Sequence, residues 1–313
     1  GDGMSLYSDG MFAQFGLELG KDFVYAINKQ PNGRYWIGTG NGLYEWDGKV
    51  VSRPDGPPLF SSGFIMDIMT DHEGKSWLAT FQGLYRWDGK QLEEISLAEK
   101  GPEPRIISVN EASNGDIWIC SRVGFFVYRD GQVLNMSEQN PLFNLFGFAT
   151  KEDQSGNIWL ATASDGVLFY DGDTVIQLDE RHGLISNEAM AIAIDKNQNT
   201  WFGTYMGLSR FNGKDFCYLT TYENLPAKVV YFLETDDKGN LWAGTERGLV
   251  KLTLDENSDP VSIRSYGPSE GFMGPECNLN AVCKADHGKM LFGTIAGVMA
   301  YDPAKDVPNK EVP

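Results

Sequence analysis

The 313 residues contain no run of 18 apolar side chains, so no segment reads as a membrane-crossing helix. Basic residues are few: 26 Lys and Arg stand against 43 Asp and Glu, for a net charge of -17. A surface of that sign repels phosphate backbones and anionic lipid, which argues against nucleic acid and membrane as partners. Histidine is scarcer still, and His72, His182 and His287 form no metal-ligand spacing. The four cysteines, Cys120, Cys217, Cys277 and Cys283, match neither a zinc nor a CxxC redox pattern and read as unpaired thiols. Cys120 stands where other copies of a repeat carry Gly or Ala, so it is expected to pack as a small apolar residue. No GxSxG, HExxH or P-loop occurs, and no cofactor is implied. No signal peptide opens the chain, although a mature or excised fragment would have lost one.

What is abundant is repetition. Trp36, Trp77, Trp118, Trp159, Trp201 and Trp242 recur at steps of 41 or 42 residues, and Leu291 takes the same place after a step of 49. Each copy has an apolar stretch, a polar turn usually holding Asp and Gly, the Trp strand, then Thr-x-x-Gly and an aromatic, as in "ATFQGLYRWDG" from Ala79. Self-similarity at this period marks units that cannot bury their own faces singly. Seven copies of ~40–45 residues imply an all-β, seven-bladed β-propeller with four-stranded antiparallel blades. The 36 glycines and 12% aromatics suit short strands and tight turns.

The second copy lays out a blade. Phe64 to Ile68 is the innermost strand, Asp71 to Gly74 a turn, and Ser76 to Thr80 the second strand, whose Trp wedges against the next blade. Gly83 opens the third strand, and Asp88-Gly89 turns into a short fourth. Trp77, Trp118, Trp159, Trp201 and Trp242 are therefore expected to be buried. The long last step is assigned to an insertion at Thr253 to Pro260 that lengthens a hairpin loop. After Tyr301 no fourth strand follows, and "DPAKDVPNKEVP", with three prolines, reads as an extended tail over 303–313. Met11 to Gly16 stands where a fourth strand should, so an N-terminal strand is expected to close the ring of 11–302. Met4 to Gly10 resembles the third strand of a further repeat, which makes 1–10 a remnant of a preceding repeat.

The frame D-x-x-G-x-[LI]-W-[IL]-[GA]-T-x-x-G-[LV] resembles the two-component regulator propeller repeat, with Asp153, Gly156, Trp159, Thr162 and Asp236, Gly239, Trp242, Thr245, Gly248 as the best matches. Ser121, Gln198 and Leu291 depart from it. The resemblance implies the periplasmic sensor region of a hybrid histidine kinase that responds to carbohydrate, with a second propeller and a β-sandwich of the same polypeptide as neighbours. A homodimer is the further association it leaves open. WD40 repeats share the "WDG" of Trp46 and Trp87 but want a recurring Gly-His that is missing here. The sialidase Asp-box has similar spacing, yet no glycosidase carboxylate pair stands out.

Streptogramin lyases are propellers with related repeats that use His, an acid and a metal. Here His72 and His287 occupy turns on the face opposite the long inter-blade loops, and His182 has no partner His. The residues thus give no catalytic set and no metal site, and favour a non-enzymatic binding surface over an enzyme or a protein-interaction scaffold. In a propeller the loops leading into the first strand and those between second and third strands converge at one channel mouth. The first set offers Arg105, Asn187, Glu188 and Lys228, with Asp22 and Asn278. The second offers Phe81, Gln82, Arg122, Tyr205, Glu246 and Arg247, with Asn41 and Asp165. Aromatic faces with amides, acids and arginines suit a small-molecule or oligosaccharide ligand.

Overall fold

The structure, a computed structural model, describes residues 10–15, 22–97, 104–221 and 225–306. Its strands form seven four-stranded antiparallel sheets, the blades of a propeller. Six blades use consecutive strands. In the seventh, Phe12–Phe15 lies beside Gly297–Tyr301, followed by Met290–Thr294 and Cys277–Lys284. Phe12 pairs with Tyr301 and Phe15 with Val298, so the N-terminal strand closes the ring as expected. Most of the half-repeat read at Met4 to Gly10 lies outside the described residues.

The repeat signature has a physical cause at each position. The Thr of Thr-x-x-Gly, Ser121 in blade three, is fully buried in all seven blades. Its hydroxyl donates to the carbonyl of the Gly that opens the third strand, at 2.8 to 3.0 Å. That Gly has positive φ throughout, from 78° at Gly166 to 143° at Gly83, which side chains other than hydrogen resist. The five tryptophans expected to be buried are at most 4% exposed. Asp71, Asp195 and Asp236 accept the indole N–H of Trp77, Trp201 and Trp242 at 2.8, 2.8 and 3.0 Å. Where Gln30 replaces the aspartate, the Trp36 indole donates to Glu45 instead. Gln198 takes the glycine's place in its turn with φ 66°. Cys120 is buried as a small core residue, and burial pushes its thiol up to about 12.

The long last step divides differently from the sequence reading. Strands Gly248–Leu254 and Pro260–Tyr266 are seven residues each, and Leu249 pairs with Tyr266 where Leu208 pairs with Leu219 in blade five. The insertion therefore extends sheet rather than loop. Its tip docks on blade five: Asn197 Nδ2 donates to the Glu256 carbonyl and Ser258 hydroxyl, both at 2.8 Å, and Arg210 to the Ser258 carbonyl and Asp259. The rest of the step lies in blade seven, where Asn278 to Ala281 oppose Gly293 alone. In blade one only Tyr25 and Ala26 oppose Gly38.

The described part of the tail also differs from an extended strand. Lys305 N donates to the Asp302 carbonyl in a turn, and the Asp306 carboxylate accepts from Arg264 and Tyr301, both at 2.6 Å. These bonds clamp it to blades six and seven.

Candidate functional site

Every inner strand slips register after its first residue pair. The unpaired residues are Tyr25, Met66, Ile107, Phe148, Met190 and Tyr231 in blades one to six. A bulge bends its strand and re-aims a side chain, and six of the seven, at one end of the channel, carry an apolar or aromatic residue. The wide bulge of blade seven reaches furthest: Asn280 Nδ2 donates to the Ile107 carbonyl of blade three, across the channel, at 3.3 Å. Below lies a channel of about 510 Å³ whose lining includes Ile27, Ile68, Val109, Thr150, Ile192 and Leu233.

The two loop families that the sequence places at the mouth are tied together residue by residue. The amides of Phe81, Arg122, Ala163, Tyr205 and Ile295 donate to the carbonyls of Phe64, Arg105, Phe146, Glu188 and Glu276 at 3.0 to 3.3 Å. In blade six the Glu246 carboxylate accepts from the amides of Lys228 and Val229 instead, at 2.9 and 2.8 Å. The turns are rigid because their second residue, such as Gln82 or Arg247, donates its amide to the buried Thr hydroxyl.

Side chains on this frame form two arcs. Phe64 and Phe81 stack at 4.3 Å and 5°, with Tyr25 4.9 Å from Phe64. Arg105 lies over Phe81 at 5.0 Å, and Arg122 over Phe146 at 5.4 Å, which in turn contacts Phe148. Blades one to four thus carry an aromatic shelf held by two arginines of blade three. Blades five to seven carry the acids Glu188, Glu246 and Glu276. There Lys228 lies over Tyr205 at 4.8 Å, and Tyr231 donates to Glu276 at 2.8 Å. Burial, with Glu276 beside it, pushes the Tyr231 phenol well above its ordinary value.

Of the residues expected from sequence, Phe81, Arg105, Arg122, Glu188, Tyr205, Lys228 and Glu246 lie in these linked pairs. Gln82 and Arg247 are exposed on their turns. Asn187 is committed elsewhere, its Oδ1 accepting from Glu180 N at 2.9 Å to shape the preceding loop. Asp22 accepts from Tyr44, and Asn278 donates to the Val24 carbonyl. Tyr25, Phe64, Phe146, Phe148, Tyr231 and Glu276 were not anticipated. Phe64, Phe146 and Glu276 share one repeat slot with Arg105 and Glu188, immediately ahead of the inner strand, so aligning the copies column by column would have found them.

The histidines do not enter the mouth's linked pairs. His72 pairs with Glu111 of the next blade, and His287 lies in a turn on the opposite face. His182 Nδ1 is 2.8 Å from Asp179, whose carboxyl Arg181 and then His182 hold down to about 2. Among the described residues no group of three or more His, Cys, Asp or Glu is placed to hold a metal ion, and no helix is long and apolar enough to cross a membrane.

No protein-family model matches the chain. Histidine kinase P4 of Formosa agariphila is 25% identical over 213 residues, which span 50% of this chain and 15% of the kinase. Among solved structures, the extracellular domain of the putative hybrid two component system BT3049 from B. thetaiotaomicron superposes with a TM-score of 0.83 at 22% identity, over 95% of this chain and 41% of that one. A catalytically inactive virginiamycin B lyase from Staphylococcus aureus, solved with quinupristin, gives a TM-score of 0.74 at 14% identity, over 92% of this chain and 98% of the lyase. The chain thus spans less than half of the two-component proteins it resembles, and its likeness to the solved structures, extracellular domains of hybrid two-component systems and lyases alike, is one of fold.

Proposed function

We propose that this chain is the periplasmic, ligand-receiving propeller of a two-component regulator, that it is not an enzyme, and that it takes an oligosaccharide at the channel mouth. The observation that carries this reading is the aromatic and arginine shelf of blades one to four. The stacked rings present an apolar surface to a sugar, and the guanidinium groups offer planar donors to hydroxyls. Because Arg105 and Arg122 already rest on Phe81 and Phe146, little side-chain freedom is lost on binding. Two arginines on one arc, acids mixed with Lys228 and Arg247 on the other, and a net charge of -17 favour a neutral sugar over a sulfated or polyuronate chain. A ligand that touches several blades changes how they and neighbouring domains pack, which is what a signal requires. A second propeller, a β-sandwich or a second copy are the partners this role calls for.

Calorimetry of a neutral-glycan panel against the chain and its Phe81→Ala, Arg122→Ala and Tyr205→Ala variants tests the reading. A glycan whose affinity falls about tenfold or more in Phe81→Ala and Arg122→Ala, worth ~1.4 kcal/mol each, supports it. Equal binding to all variants moves the site elsewhere. The lyase-like fold supports a second reading, an enzyme acting on a glycan or small cyclic compound. Turnover of quinupristin or of a panel glycan, followed by mass spectrometry, would establish that reading in place of the first.

A further inference from the structure

Blade seven replaces the narrow bulge of the other blades with a wider one. Asn278 to Ala281 oppose Gly293 alone, whereas only Tyr25 and Ala26 oppose Gly38 in blade one. The extra length carries the strand out over the channel, close to the inner strands of blades two and five, neither of which adjoins blade seven. Three bonds moor it there. Asn278 Nδ2 donates to the Val24 carbonyl of blade one at 2.8 Å, and the Cys277 thiol to the Gly248 carbonyl of blade six at 3.6 Å. Asn280 Nδ2 donates to the Ile107 carbonyl of blade three at 3.3 Å. Among the described residues, no other hydrogen bond joins blades that are not neighbours in the ring.

Asn280 holds this place at a conformational cost. Its φ of 58° lies in the left-handed region, which few residues other than glycine, asparagine and aspartate enter. Such a conformation persists where the surroundings impose it, and it clusters at ligand sites. The residue is half-buried, and its carboxamide oxygen accepts no hydrogen bond among the described residues. The bulge also stands between the two arcs of the mouth. Its strand starts at Cys277, next to Glu276 of the acid arc, and Ile107 lies two residues beyond Arg105 of the shelf. The bond from Asn280 to Ile107 thus bridges acid arc and shelf over the channel of about 510 Å³, which Asn280 helps to line.

We infer that Asn280 is the central binding residue of the mouth: its bond to Ile107 holds the blade-seven bulge across the channel, and its free carboxamide oxygen accepts a sugar hydroxyl. The inference rests on the reading of the mouth as an oligosaccharide site and adds the path of the ligand to it. The sugar chain crosses the face from shelf to acid arc over the bulge, and it does not thread the channel below. A planar carboxamide, donor on one side and acceptor on the other, can serve the protein and the sugar at once.

Two variants that suit a positive φ separate the two roles. Asn280→Gly removes the whole carboxamide, whereas Asn280→Asp keeps an acceptor oxygen but has no donor for Ile107. Hydrogen exchange of the full chain without ligand, read by mass spectrometry on the 277–284 peptide, tests the bond. Its loss should speed exchange in the bulge about three- to tenfold in both variants and leave the other blades unchanged. Calorimetry with maltohexaose, cellohexaose and xylohexaose tests the contact. A hexasaccharide that binds the parent should bind Asn280→Gly about tenfold or more weakly, with Asn280→Asp between the two. Unchanged exchange in both variants overturns the inference, as does a hexasaccharide held equally by the parent and Asn280→Gly. Failure of every hexasaccharide to bind the parent counts against the mouth reading itself, while exchange still decides whether Asn280 holds the bulge.

Discussion

Replacing Phe12 and Phe15 together with alanine tests the ring where strand pairing, rather than a following loop, joins it. Both side chains are buried, at 4% and 2% exposure. They face different neighbours: Phe12 meets Tyr266 at 5.1 Å and Phe272 at 5.3 Å, whereas Phe15 stacks on Trp46 of blade one. With no shared partner the two losses should add. Each Phe→Ala change costs about 3–5 kcal/mol, so the pair costs about 6–10 kcal/mol, against a total stability of about 5–15 kcal/mol. The four paired residues of Phe12–Phe15 then have too little side-chain burial to hold them in place. The double variant should release the strand and expose the edge of Gly297–Tyr301, which invites pairing with another copy. Urea unfolding read by tryptophan fluorescence would report the loss, and light scattering after size exclusion would report dimers or aggregates. Deleting residues 1–16 is the harsher form of the same experiment. A monomeric double variant that loses less than about 2 kcal/mol by linear extrapolation would refute the reasoning.

Three further outcomes follow from the described contacts. Trp242→Ala, which removes a fully buried ring bonded to Asp236 and covered by Lys251, should cost about 3–5 kcal/mol in denaturant unfolding, whereas Trp242→Phe should cost nearer 1 kcal/mol; equal costs would contradict the packing account. Thr204→Val keeps the shape but removes the hydroxyl between the Gly207 carbonyl and the Met206 amide, for an expected loss of about 1–3 kcal/mol, and an unchanged midpoint would count against the turn mechanism. Burial pushes the Asp67 carboxyl up to about 7, although the Val109 and Ile68 amides oppose this. Because its folded pKa lies above the unfolded value of about 3.9, its contribution is present in acid and is lost as pH rises from about 4 to about 7. Asp67→Asn should therefore flatten the stability profile across that window, and a profile parallel to the parent's would show that Asp67 does not titrate there.

The blades were legible because their determinants are local and repeated: a Trp in six copies, a turn Asp in four and a Thr or Ser ahead of a Gly in all seven, within a dozen residues of one another. The mouth was legible only in part. Phe81 and Arg105 could be placed on converging loops, but their contact joins different blades, and no local pattern announces such a pairing. The bulges were invisible because Met66, Ile107 and Met190 are apolar residues in an apolar strand, where a one-residue slip leaves composition unchanged. Leu291 looked like repeat drift, and only its pairing with Ala300 inside blade seven shows that the indole and the cation opposite it are lost together. The insertion in blade six was located correctly, yet its polar residues could not reveal that Asn197 and Arg210 of another blade would hold them in a longer hairpin.

The closing strand also sets how the domain would respond to mechanical load. Met11 and Asp302 are neighbours, since the Asp302 amide donates to the Met11 carbonyl at 2.9 Å. A force that separates these two points acts at one end of the Phe12 to Tyr301 pairing and across its hydrogen bonds. The ladder would then peel one rung at a time instead of shearing as a block, and blades one to six would carry no tension until the last rung at Phe15 and Val298 had parted. The weakest mechanical direction of the ring thus coincides with the strand on which its closure depends.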